Sequence, residues 1–152
     1  MEINMEAEQQ HLQQTLNNDI PLTSAIGIQV VEFTGSSLTL SAPLANNTNH
    51  KRTAFGGSLY SVAVLAGWGL LYLRLRALGL AGNIVIQESH VRYIHPVADD
   101  IIVTCNIESE AYFQKFINFF NRKDIARISL VSLVTQNSDI ALEFEGNYVV
   151  HT

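Results

Sequence analysis

The sequence predicts an α+β domain in which a curved antiparallel sheet wraps one long central helix. Three observations predict it. Residues 53–79, TAFGGSLYSVAVLAGWGLLYLRLRALG, carry no charge between Arg52 and Arg74 and would be apolar on every side of a helix, so that helix must be enclosed. Most of the remaining chain falls into β-branched or alternating runs, the pattern of strands. Short polar turns separate several of these runs, so neighbours should pair antiparallel with the helix on the concave face.

Taken in order, residues 4–18 show a thin apolar stripe of Met5, Leu12 and Leu16 among Gln and Glu. They read as a surface helix ended by Asn17, Asn18 and Pro21. Residues 26–33 are a β-branched strand. Residues 37–44 alternate, with Leu38, Leu40 and Ala42 on one face, and Thr34, Gly35 and Ser36 supply the hairpin turn. A polar loop, PLANNTNHKRT at 43–53, leads to the central helix, 56–79. Gly56, Gly57 and Ser58 open that helix and Gly79 stops it. Arg74 and Arg76 on its last turns complement the helix dipole. Gly67 and Gly69 would each cost about 1 kcal/mol against Ala, which implies the close approach of a backbone, from a strand or a partner helix.

Residues 83–95 form a long strand with poor alternation. Ile84, Ile86 and Ile94 would share a face with Glu88, His90 and Arg92, a mixture that suggests a site or an interface. Pro96, Ala98, Asp99 and Asp100 turn the chain. Residues 101–109 alternate cleanly with Ile101, Val103, Cys105 and Ile107 inward. Residues 110–122 switch to helical spacing through Tyr112, Phe113, Phe116, Ile117 and Phe120. Residues 125–136 and 140–150 are two more strands, joined through Asn137, Ser138 and Asp139. The second turns Ile140, Leu142, Phe144 and Tyr148 inward.

The totals bound the function. A chain of 152 residues suits a single domain spanning 1–152. Hydrophobic content of 47% against 15% charged leaves polar surface scarce, which implies that self-association buries part of it. A net charge of −5 argues against a nucleic-acid partner. Cys105 stands alone, so there is neither a disulfide framework nor zinc spacing. The acidic, polar start MEINMEAEQQ is unlike a secretory leader, and a soluble cytoplasmic protein is expected. The central run is long enough to span a bilayer. Ser58, Tyr60 and Ser61 in its first turns, and the strands around it, argue for a protein wrapper instead.

AFGGSLY at 54–60, LAGWGLLYLRLR at 65–76 and RYIHPV at 92–97 resemble the hotdog-fold thioesterases named for the C-terminal domain of the bacterial protein YiiD. The resemblance covers about residues 20–150. It implies a homodimer at least, often a homotetramer, with sites between subunits for acyl groups carried as thioesters on coenzyme A or acyl carrier protein. It implies no metal or redox cofactor and no membrane; the coenzyme A thioester is substrate. In related phenylacetate-pathway-type thioesterases an Asn precedes a His-Gly-Gly, and Asn49 stands at the matching distance from Phe55-Gly56-Gly57. The resemblance assigns the Gly56 N–H to the thioester carbonyl. Two departures stand out: Phe55 replaces the His, and Val64 occupies the place of the helix carboxylate.

The residues themselves suggest the same chemistry. Unpaired N–H groups at a helix start stabilise a developing oxyanion, and Gly56 and Gly57 let a substrate come close; otherwise the pair only makes a tight turn. Asn49 either orients water or the carbonyl, or satisfies its own loop. Ser58, Tyr60 and Ser61 could line an acyl entrance or serve as core hydroxyls. Glu88 lies among isoleucines, where burial would make it a better proton acceptor; the alternative is an ion pair with Arg92. Lys51, Arg52 and Arg92 could form a basic rim for coenzyme A phosphates or simply keep the surface soluble. Tyr112, Phe113, Phe116, Phe119 and Phe120 read as core or oligomer packing ahead of an acyl pocket. The sequence reading is therefore an acyl thioesterase, with a non-catalytic acyl-thioester-binding module as the rival.

Overall fold

The computed structural model describes residues 2–152. Four helices and six strands follow in the order α1 (Met5–Asp19), α2 (Leu22–Ile26), β1 (Gln29–Phe33), β2 (Ser37–Ala42), α3 (Gly56–Ala77), β3 (Asn83–Tyr93), β4 (Ile101–Asn106), α4 (Glu110–Lys123), β5 (Ile125–Gln136) and β6 (Asp139–His151). The strands form one sheet in the order β1-β2-β4-β5-β6-β3, antiparallel at each pairing. Only β1–β2 and β5–β6 are tight hairpins. The second turns at Asn137 and Ser138, both at positive φ, which matches the twist of the flanking strands.

The central helix α3 is the core of the domain. Val62, Ala63, Ala66, Leu70, Leu71 and Leu73 are fully buried beneath the sheet. By length and composition α3 could cross a bilayer; here its enclosing medium is protein. A helix apolar on all sides has no stripe to set its rotation, and two buried hydroxyls set it instead. Ser132 Oγ donates to the Ala63 carbonyl (3.1 Å) and Tyr148 Oη to the Val64 carbonyl (2.7 Å). The mid-helix glycines make room for side chains, not for the backbone expected. A Cβ on Gly67 would run into the Tyr148 phenol, and one on Gly69 would lie 2.7 Å from Leu38 Cδ2. At the other end Arg74 grips Glu110 with two hydrogen bonds (3.0 and 2.7 Å) and lies 4.2 Å above the Phe113 ring, tying α3 to α4.

α1 does more than cover the core with Leu12 and Leu16. β1 is an edge strand, and its free backbone groups are taken by two glutamines one helical turn apart. Gln13 accepts from the Val30 N–H (2.7 Å) and donates to the Ile28 carbonyl (2.9 Å); Gln9 accepts from the Phe33 N–H (3.0 Å). These amides imitate a neighbouring strand and blunt an edge that would otherwise template pairing. Among the described residues, the edge of β3 at the opposite side of the sheet has no such cover. Replacing both Gln9 and Gln13 by Ala is expected to expose β1 and produce larger species or aggregates by sedimentation. Unchanged sedimentation would show that α1 protects the edge by bulk alone.

Cys105 is wholly buried on β4. Burial pushes its thiol up to about 12, against the opposing influence of the nearby Ser132 hydroxyl, so it is not a thiolate at neutral pH. A chromogenic disulfide reagent should find no reactive thiol in the folded chain and one thiol after denaturation. Rapid native-state reaction would contradict this packing.

Four elements differ from the sequence reading. Residues 22–26 are a short helix, because Pro21 starts a turn and Thr23 Oγ1 donates to the Leu16 and Ile20 carbonyls (2.8 Å each); Gly27, at φ 79°, ends it. β4 stops at Asn106, since Ser109 leaves the strand to cap α4 by accepting from the Tyr112 N–H (3.0 Å). In β6 a register shift opposite Val134 and Thr135 turns Ile140 outward and lets Ala141 take the buried place. β3 carries the consequential change. Ile86 pairs with Tyr148 and Glu88 with Asn147, so Gln87 is an extra residue in a β-bulge. Before the bulge Ile84 and Ile86 are half-buried on the helix side; after it, Ser89 and Val91 are. Glu88, His90 and Arg92 are thereby exposed on the outer surface, and the mixed face expected for this strand does not form.

Candidate functional site at the start of the central helix

The loop after β2 builds the start of α3. Asn47 is buried; its Nδ2 donates to the Ile26 (2.9 Å) and Pro43 (2.8 Å) carbonyls, and its own carbonyl accepts from the Phe55 N–H (2.7 Å). The Ala54 N–H donates to the Val97 carbonyl (2.7 Å). These bonds hold Phe55 extended (φ −65°, ψ 133°), and the chain turns helical at Gly56 with no side-chain cap. The Ser58 and Leu59 N–H groups turn back to the Phe55 carbonyl (3.0 and 3.1 Å). The N–H groups of Gly56 and Gly57 have no acceptor among the described residues. Two free amides thus stand at the positive end of a 22-residue helix.

Polar and aromatic side chains gather around them. The Phe55 ring, more than half exposed, folds over Gly57, where a Cβ would lie 2.5 Å from it. Glycine at 57 is therefore a requirement of the close ring approach. Tyr93 Oη donates to the Gly56 carbonyl (3.0 Å). Tyr60 Oη and Ser89 Oγ share a hydrogen bond of 2.7 Å, and the Tyr60 ring meets Phe144 edge-on. Desolvation first, and then the neighbouring Tyr60, push the Tyr93 phenol above its ordinary value. Ser61 Oγ donates to the Gly57 carbonyl (2.9 Å). The set offers two donors to an oxyanion and hydroxyls that can hold a water.

Gly56, Gly57, Ser58, Tyr60 and Ser61 lie on the first two turns of α3. Asn49 is nearby but occupied: its Oδ1 accepts from the Lys51 (2.8 Å) and Thr53 (3.1 Å) N–H groups, and its Nδ2 donates to Thr53 Oγ1 (2.8 Å). It shapes the 49–53 turn, in which Arg52 takes φ 62°. Lys51 and Arg52 are exposed on that turn. Arg92 is on the outer surface, 3.2 Å from Glu143, not paired with Glu88. Glu88 itself sits at the bulge facing outward, so the buried setting expected for it is absent from the chain. Val64 is half-buried, in line with Tyr60, Trp68 and Tyr72 at four-residue spacing. This stripe is only partly covered.

Sequence reasoning missed Asn47, Ser89 and Tyr93. Asn47 was one of three similar asparagines, and the bulge hid the inward turn of Ser89. The hydrogen-bonding end of Tyr93 had a signal in its place at the end of a long strand, where a phenol can reach a neighbouring helix. Among the described residues no three His, Cys, Asp or Glu side chains gather as a metal site would require.

An antiparallel sheet curved about one buried helix defines a hotdog-fold protein. The chain belongs to the family described as "Putative thioesterase (yiiD_Cterm)", which matches residues 9–152. Solved structures agree. A protein of unknown function from Chlorobaculum tepidum TLS is 33% identical with a TM-score of 0.90, over 95% of this chain and 94% of that one. A structure titled a putative thioesterase from Shewanella oneidensis is 30% identical with a TM-score of 0.85, over 97% of this chain and 100% of that one. A probable thioesterase from Pseudomonas aeruginosa, at 19% identity, TM-score 0.81 and coverage of 93% and 94%, shares the fold.

Proposed function

We propose that the chain is an acyl thioesterase that hydrolyses an acyl-coenzyme A or acyl-carrier-protein thioester at the start of α3. The observation that carries this reading is the pair of unclaimed amides at Gly56 and Gly57. The thioester carbonyl oxygen accepts from the Gly56 N–H, and its negative charge grows as water adds to the carbonyl carbon. The carbon–sulfur bond then breaks, leaving a carboxylic acid and a thiol. The Tyr60–Ser89 pair holds the water, and the proton it loses ends on the departing sulfur. Exposed Lys51 and Arg52 beside the helix start suit the phosphates of coenzyme A. Glu88 and Arg92 face away within the protomer and have no part in this scheme; Asn49 acts as a positioning residue through its turn.

The site is completed by a second copy. β3 offers eleven residues of unpaired edge, and the stripe through Tyr60, Val64, Trp68 and Tyr72 on α3 is only partly covered. A homodimer joined along β3 would cover both, and a homotetramer would be built from two such pairs.

Absence of a carboxylate at Val64 favours a second reading, a module that binds acyl thioesters without turning them over. A general base contributes typically 10²–10⁴ in rate, so the proposed hydrolysis should be slow. A thiol-release assay across acyl-coenzyme A chain lengths separates the readings. Turnover supports the enzyme, with Tyr60→Phe and Ser89→Ala each expected to slow it about tenfold or more while the unfolding midpoint stays put. Binding of a non-hydrolysable acyl-coenzyme A analogue without turnover of any thioester supports the module.

A further inference from the structure

A second concave surface lies on the opposite face of the sheet from α3. β4 leaves residues 125–130 of β5 without a neighbour, and α4 takes that place, with Tyr112 Oη accepting from the Ser129 N–H (3.0 Å). Between α4 and the outward side chains of β5, β6 and β3 opens a groove of about 580 Å³, within the range of small-molecule sites. Arg127, Val149 and Val85 stand side by side across its strands. Its apolar surface comes from Phe119, Ile125 and Val149, of which Phe119 and Ile125 are 45% and 51% exposed. Gln87, the extra residue of the bulge, closes the β3 side.

The charge on this groove opposes that of the chain. Lys115 and Arg127 both line it, and no acidic residue does. Neither cation has an ion-pair or hydrogen-bond partner among the described residues, although the net charge is −5. The Tyr112 oxygen is held by the Ser129 N–H, so its own hydrogen is free to donate. Two unpaired cations and a phenol donor beside an apolar wall are complementary to an anion on an apolar body.

We propose that this groove binds a small amphipathic anion, an acyl or aryl body bearing one carboxylate or phosphate. The proposal does not depend on thioester hydrolysis. Two sources share that chemistry, a free acid and a phosphate ester. The test is calorimetry and backbone-amide NMR on the intact chain with octanoate, octyl phosphate and, as a neutral control, octanol. At least one anion is expected to shift the Arg127 and Val149 amides. The double variant Lys115→Met/Arg127→Gln should weaken that binding about tenfold or more, with octanol weak in both proteins. Tighter octanoate marks a free acid and tighter octyl phosphate a phosphate ester; either outcome supports the site. Octanol binding as tightly as the anions would overturn it. So would affinity within twofold in the double variant, or shifts confined to the start of α3. Both substitutions are at exposed positions, so the unfolding midpoint serves as the check that the variant is folded.

Discussion

Gly67→Ala is expected to destabilise the chain by about 2–4 kcal/mol, although Ala in mid-helix normally gains about 1 kcal/mol over Gly. The added Cβ would stand 2.5 Å from Tyr148 Cζ and closer still to its hydroxyl. The phenol cannot swing aside without cost. It is buried and donates to the Val64 carbonyl at 2.7 Å, and burial pushes its pKa further above the ordinary phenol value. Thermal unfolding should fall by several degrees, since 1 kcal/mol shifts a domain of this size by roughly 2–4 °C. Tyr148→Phe alone should cost about 1 kcal/mol, and the double variant less than the sum, because the phenyl ring lacks the oxygen that collides first. Gly69→Ala is the control. There the obstacles are the ends of Leu38 and Leu12, which can rotate, so the change should stay within about 1 kcal/mol. A stabilising Gly67→Ala would mean that the sheet does not grip α3 in the way described.

Gly56→Pro should reduce thioester turnover by about 10²–10³ while leaving the fold intact. Proline is tolerated at the first helical position, where its missing N–H has no intrahelical partner to lose. Phe55 before it already has the extended conformation that a following proline demands (φ −65°, ψ 133°). A Cβ at Gly56 would meet only the Tyr93 ring, at an ordinary 3.4 Å. The substitution therefore removes one donor from the proposed oxyanion site and little else. Steady-state thiol release with equal unfolding midpoints is the measurement. Undiminished turnover in a folded Gly56→Pro would detach the chemistry from this amide.

What the sequence disclosed follows from which forces leave periodic marks. The charge-free run at 53–73 announced an enclosed helix, and the alternations at 37–42 and 101–106 named faces that are buried as expected. The glycine pair and the hydroxyls of the first helical turns were likewise visible, since a helix start is a local event. The outward turn of Glu88 and Arg92 was not. One inserted residue, Gln87, reverses every side chain after it, and a bulge has no compositional marker in NIVIQESHVRY. Asn49 and Asn47 lie two positions apart in one loop, and only the tertiary contact with Ile26 sets buried Asn47 apart from Asn49, whose bonds stay within its own turn. Strand order was also beyond reach. The placing of β3 beside β6 depends on pairings some sixty residues apart in the chain, which no short window records.

The account rests on the carbonyl of the substrate meeting the bare amides of α3. A crystal structure of the chain with an acyl-coenzyme A analogue whose thioester is replaced by a non-hydrolysable ketone tests that most directly. The account predicts the ketone oxygen about 3 Å from the Gly56 nitrogen, with the Tyr60–Ser89 pair beside the carbonyl carbon and the phosphates towards Lys51 and Arg52. An analogue seated elsewhere on the protein, with the Gly56 and Gly57 amides solvated, would contradict it.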